Sequence, residues 1–188
     1  MIIIASFINC ITKFANSGNI LAVPIIGCSH CSYLGHLHRH GRYFRNLITF
    51  KSCHRVPIQR YKCPSCNKTC SIRHFFILPY FQYSFFVVFS ILLQSLVLKY
   101  SYRLIIFNSL ATNPFSCISV SHIYFYCKRF RLCCPGIKLF LVSSGIFPYQ
   151  DSCEAYAVLT SIADLIWMGR NFPYEYHASF HRFFMQKP

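Results

Sequence analysis

Two Cys-x-x-Cys pairs, Cys28/Cys31 and Cys63/Cys66, stand about thirty residues apart in this chain. Nothing else in the sequence narrows the fold as much. Four thiolates presented from two tight turns suit one tetrahedral zinc ion, and a chain that closes around such an ion must bring both turns together. Each pair sits in turn-forming sequence, Gly27-Cys28-Ser29-His30-Cys31 and Lys62-Cys63-Pro64-Ser65-Cys66-Asn67-Lys68. Backbone amides in such turns can face the sulfurs, and Lys62 and Lys68 offset the net negative charge of a tetrathiolate centre. The alternative is a set of free or disulfide-bonded cysteines, since the chain holds 12 of them. Against disulfides, the start Met1-Ile2-Ile3-Ile4-Ala5-Ser6-Phe7 has no basic stretch, its first charge is Lys13, and no clear small-residue cleavage signal follows. A reducing cytoplasm is the expected compartment.

The 188 residues suffice for one domain or two small ones, and a 54% hydrophobic content is ample for a core. Charge is lopsided: 19 Lys plus Arg against 4 Asp plus Glu, a formal +15, so the surface attracts polyanions. Nucleic acid is the expected partner, with an anionic membrane surface as the alternative. From Phe75 through Leu98 there is no charged residue, and the stretch Tyr83 to Leu98 approaches the roughly twenty residues that cross a bilayer. Gln82, Ser84, Ser90, Gln94 and Ser95 interrupt it, and basic residues flank it on both sides. A buried core helix is therefore expected ahead of a membrane span.

The pattern is α+β: a small four-cysteine zinc ribbon of short antiparallel strands, followed by a mainly helical, helix-turn-helix-like region. Residues 1–26 form a hydrophobic, strand-prone lead-in with no legible function. Residues 27–74 form the ribbon, with half-buried strands at His38 to Arg45 and Val56 to Lys62, where basic and apolar residues alternate. Residues 75–135 hold an apolar connector and three helices. These run from about Tyr83 to Leu98, from an N-cap at Ser101 through Leu110, and from near Ser119 after the Asn113-Pro114 break. The third helix places Val120, Ile123, Cys127 and Phe130 on its core stripe. Its other face carries Ser121, His122, Phe125, Tyr126, Lys128, Arg129 and Arg131, with polar and aromatic groups first and cations later, as in a helix that reads bases and grips phosphate. Residues 136–188 hold a further amphipathic helix, from Asp151 or Ser152 to about Trp167, and an aromatic tail.

Several of these stretches together resemble a bacterial transposase-associated family of unknown function, in which a zinc ribbon precedes a helix-turn-helix. They are Cys28-x-x-Cys31, His38-Arg39-His40-Gly41-Arg42-Tyr43, the run Pro57-Ile58-Gln59-Arg60-Tyr61-Lys62-Cys63-Pro64-Ser65-Cys66-Asn67-Lys68-Thr69, and Leu78-Pro79-Tyr80 followed by Tyr83-Ser84. The likeness spans roughly residues 25 to 135. It implies a non-catalytic, zinc-dependent DNA-binding protein related to the recognition region of insertion-sequence transposases, with DNA and a transposase subunit as partners. Arg39, Arg42, Arg45, Arg60 and Lys62 would contact backbone or groove, and Ser121, His122, Phe125 and Arg129 would contact bases, with Lys128 and Arg131 beside them. Cys70 stands where such proteins usually carry an aromatic residue, and so offers a competing thiol.

Two-metal strand cleavage needs several carboxylates converging from separated segments. All four acids, Asp151, Glu154, Asp164 and Glu175, lie in one short C-terminal segment, and no Gly-rich phosphate loop is present. The remaining cysteines are expected to be mostly buried thiols, and His36, His38 and His40 a solvated basic face rather than a second metal site. Two further readings stay open: a membrane protein with a cytoplasmic zinc ribbon, and a protein-interaction module.

Overall fold

A computed structural model describes residues 27–28, 30–72, 76–78, 81–146, 154–180 and 185. The hydrophobic lead-in of residues 1–26 lies outside them, as does the start expected at Asp151 or Ser152 for the C-terminal helix. The fold is α+β and divides into two compact units, one of residues 1–47 and 53–74 and one of residues 48–52 and 75–188.

The first unit is built on strands β1 (His38–Ile48), β2 (Cys53–Lys62) and β3 (Thr69–Ile72), in the order β1-β2-β3. Strand β2 is central and buries Val56, Pro57, Ile58 and Gln59 in succession, as a strand covered on both faces does. It pairs antiparallel with β3 in the register Arg60↔Ser71, Tyr61↔Cys70 and Lys62↔Thr69. Residues 69–72, where the sequence reading placed no strand, are thus a strand of their own. Strand β1 is an edge among the described residues, and everything from His38 through Phe44 is exposed. Gly41 takes φ +76 within this strand, a conformation that glycine adopts without a Cβ penalty and that bends an edge. The Gln59 amide donates to the Gly41 carbonyl at 2.6 Å and fixes that bend.

Among its described residues the second unit contains five α-helices: α1 (Phe85–Leu92), extended by a π-helical turn over Leu93–Val97, α2 (Tyr102–Thr112), α3 (Val120–Ser143), α4 (Ala155–Trp167) and α5 (Phe172–Phe180). Helix α1 buries Phe85, Val87, Val88, Phe89, Ile91 and Leu92, nearly all of its surface, so the uncharged run is a core helix. The polar residues that interrupt it have partners. Gln94 donates to Ser90 Oγ and accepts from Asn108, and Ser95 Oγ accepts from the Cys127 thiol. Residues 85–97 span about 20 Å at 1.5 Å per residue, short of a bilayer core of about 30 Å. Among the described residues no helix is long and apolar enough to cross a membrane.

Ser101 caps α2 by accepting from the Leu104 amide, and Ser119 caps α3 through a reciprocal capping box with His122. The core stripe on α3 is Ile123, Cys127 and Phe130, continued by Ile137, Phe140 and Leu141; Val120, expected on it, is 50% exposed, and Tyr126, expected on the outer face, is buried. The helix continues through Pro135 to Ser143, so no boundary falls at residue 135. Val158, Leu159, Ile162 and Leu165 of α4 complete the core with Phe172 and Tyr176, which meet Phe140 at ring separations of 5.8 and 5.7 Å. Helix α5 was legible in the sequence only as an aromatic tail. The turn 48–52 belongs to this unit. Ile48 bridges to Tyr83, and buried Asn113 donates to the Thr49 carbonyl at 2.8 Å.

Candidate metal centre

Gly27, at φ +89, turns the chain into the first Cys pair, where its amide reaches Gly35 O at 3.1 Å and the Cys28 amide reaches Tyr33 O at 2.9 Å. The second pair closes in the same manner. The Cys63 amide donates to Lys68 O, the Asn67 amide donates to Cys63 O, and Asn67 takes φ +59, a left-handed conformation that Asn tolerates well. Sequence and geometry agree here because the short polar residues next to each pair are the ones such turns require.

These two turns bring Cys28, Cys31, Cys63 and Cys66 together, with all four sulfurs within 4.8 Å of one another. Cys28 Sγ lies 3.7 Å from Cys66 Sγ, and Cys31 Sγ lies 3.7 Å from Cys63 Sγ. A disulfide would place sulfurs about 2.05 Å apart, whereas a tetrahedron with metal–sulfur bonds of about 2.3 Å has edges of about 3.8 Å. The cluster therefore has the spacing of a tetrathiolate metal site, with its four cysteines present as thiols. Chemistry at the sulfurs points the same way. The His30 amide, 3.3 Å from Cys28 Sγ, outweighs burial and lowers that thiol to about 7. Cys66 is pushed up to about 11: the Lys68 amide lowers it, but burial and the sulfurs of Cys31, Cys28 and Cys63 together raise it further. Neutral thiols and thiolates crowded in this way share protons that a cation can displace.

The described packing at this end of the first unit is small. Its hydrophobic cluster consists of buried Leu37, Tyr61 and Cys63, with Cys28, Cys31, Tyr33, Cys66 and Cys70 packed around them. Cys70 touches this cluster without joining the four-sulfur group, and burial raises its pKa. Among the described residues no second group of metal-ligating side chains converges, and His36, His38 and His40 are exposed. Cys127, Cys133 and Cys134 are buried as expected, whereas Cys53 and Cys117 are exposed.

The basic candidates fall into two groups. On the sheet, Arg39 and Arg42 are exposed, Arg45 and Lys62 are half-buried, and Arg60 is held by a 3.1 Å hydrogen bond from its guanidinium to Thr69 Oγ1. On α3, Ser121, His122, Phe125, Lys128 and Arg131 are exposed. Two of the α3 candidates carry other bonds: His122 Nδ1 closes the capping box, and Arg129 Nε donates to the Met185 carbonyl at 2.7 Å. The exposed stripe of α3 is therefore Ser121, Tyr124, Phe125, Lys128, Arg131 and Leu132, at helical spacing. Sequence reasoning passed over Tyr124, which is 59% exposed. It also missed Arg55, the third residue of β2, which stands over the Phe44 ring at 4.8 Å, because the second strand was expected to start at Val56.

The fold and the four-sulfur cluster define a two-unit α+β protein with a site compatible with one metal ion. Compared with protein-family models, with curated proteins and with solved structures, the chain matches none.

Proposed function

We propose that this chain is a non-catalytic, zinc-dependent DNA-binding protein, related to the recognition region of a transposase. Cys28, Cys31, Cys63 and Cys66 hold a structural Zn2+, a soft thiolate set that favours zinc among the common divalent ions. Bound there, the ion supplies folding free energy and no reaction step. Helix α3 is the reading element, with α2 and the turn 113–119 in place of a compact helix-turn-helix. That turn is longer than the three or four residues usual for the motif.

The observation that carries the reading is the exposed stripe of α3, which runs from a capped N-terminus bearing Ser121 and Phe125 to Lys128 and Arg131. Polar and aromatic groups at the front of a recognition helix meet base edges, and cations farther along meet phosphate. The chain's +15 charge supports the same partner, and its four acids, all between residues 151 and 175, support a binding role over two-metal chemistry. A transposase subunit is the protein partner that this reading brings with it.

Titration of duplex DNA at several salt concentrations tests it. Lys128→Ala and Arg131→Ala should each weaken binding across all sequences and reduce the salt slope by about 1. Unchanged affinity and slope in both variants, with zinc content preserved, would remove α3 from the interface.

A further inference from the structure

The first unit contains no Asp or Glu at all. Against that it carries nine basic residues: Lys13, Arg39, Arg42, Arg45, Arg55, Arg60, Lys62, Lys68 and Arg73. Two of them converge on one aromatic ring. The Arg42 guanidinium carbon lies 5.6 Å from the Phe44 ring centroid and that of Arg55 lies 4.8 Å from it, both within cation–π range. Phe44 is nevertheless 47% exposed and its neighbour Tyr43 is 37% exposed. Arg42 and Phe44 are two residues apart and share a face of β1, and Arg55 comes from the adjoining strand. Two like charges gathered on a half-open ring, with no carboxylate anywhere in the unit, need anions from outside. A large exposed ring on a polar edge strand likewise lacks the cover that would make it core.

We propose that the β1 face around Arg42, Phe44 and Arg55 binds single-stranded nucleic acid. Unpaired bases stack on the Phe44 ring and on the guanidinium planes, and the backbone phosphates pair with Arg39, Arg42 and Arg55. Positive grooves with interleaved aromatic rings hold single strands in this way because every base has a π-face, whereas stacked bases in a duplex cannot reach a ring on a sheet. The flanking arginines and the bend at Gly41 also disfavour the other use of an edge, pairing with a strand of another protein. This site rests on the nucleic-acid reading above but uses a different surface from α3.

The test uses the full zinc-loaded chain and fluorescence anisotropy with a labelled oligothymidylate, the matching uridine RNA and a duplex of equal length. Phe44→Ala should weaken binding of the single strands about tenfold while leaving zinc content and duplex binding unchanged. Phe44→Tyr keeps a ring for both arginines and should retain single-strand binding, and Arg55→Ala should lose part of it. Equal loss from DNA and RNA strands fits stacking without use of the 2′-hydroxyl; loss from one alone identifies the partner. A protein that binds duplex but neither single strand overturns the inference and leaves the α3 reading standing. So does a Phe44→Ala chain that binds single strands as tightly as the parent, or that loses single strands and duplex equally. Single-strand binding lost in Phe44→Ala, with duplex binding indifferent to Lys128→Ala and Arg131→Ala, supports this site and overturns the α3 reading.

Discussion

Cys63 is 1% exposed, packs on Tyr61 and Leu37, and supplies both a sulfur and the backbone turn of its pair. Replacing it with Ser removes a ligand from a unit that has three buried hydrophobic residues at that end, so Cys63→Ser should lose the metal and the sheet signal together. Zinc per chain by elemental analysis and strand content by circular dichroism check this. Cys70→Ser is the matched control. It removes the thiol that touches the cluster from outside, and it should keep one zinc per chain. The four-cysteine cluster was legible in the sequence because a Cys-x-x-Cys pair encodes its own geometry in adjacent residues. Arg55 and Phe44 were not, since their meeting depends on strand register, which no local pattern spells out.

At the scale of elements, the caps and breaks were the most legible parts. Ser101 and Ser119 start α2 and α3 where an N-cap residue precedes an apolar period, and Asn113-Pro114 ends α2. The expected first helix was right in place but not in form, because a π turn over Leu93–Val97 accommodates Gln94 and Ser95 with their partners, and a π turn has no signature in hydrophobic spacing. Strand β3 is four residues long and exists through its pairing with β2, so its own sequence could not announce it. Removing the α3 cap should cost about 1 kcal/mol: Ser119→Ala frees His122 and leaves the first amides of the helix without their side-chain partner. Thermal unfolding of the helical unit measures it, and an unchanged midpoint would mean that the box is idle. Phe130→Ala, at a fully buried position of the same helix, should cost about 3–5 kcal/mol in the same assay.

For the whole molecule, the two units differ in what holds them. The helical unit has a hydrophobic cluster that runs from Ile48 to Met185, whereas at the sulfur end of the first unit the described cluster holds three buried residues, Leu37, Tyr61 and Cys63. Chelation should therefore abolish the sheet signal while the helical signal persists. Composition pointed to a polyanionic partner through charge alone, and it could not assign that charge to one face. Which cations of α3 stand open to solvent appears only once Arg129 is seen bound to Met185 and Lys128 and Arg131 are seen exposed. The decisive measurement combines zinc content with affinity for duplex DNA at two salt concentrations, before and after chelation. We expect about one zinc per chain, binding that weakens steeply as salt rises, and affinity that falls when chelation removes the phosphate contacts of Arg39, Arg42, Arg45, Arg60 and Lys62 on the sheet. A chain that holds no zinc, or that binds DNA equally well after chelation, would contradict the central claim.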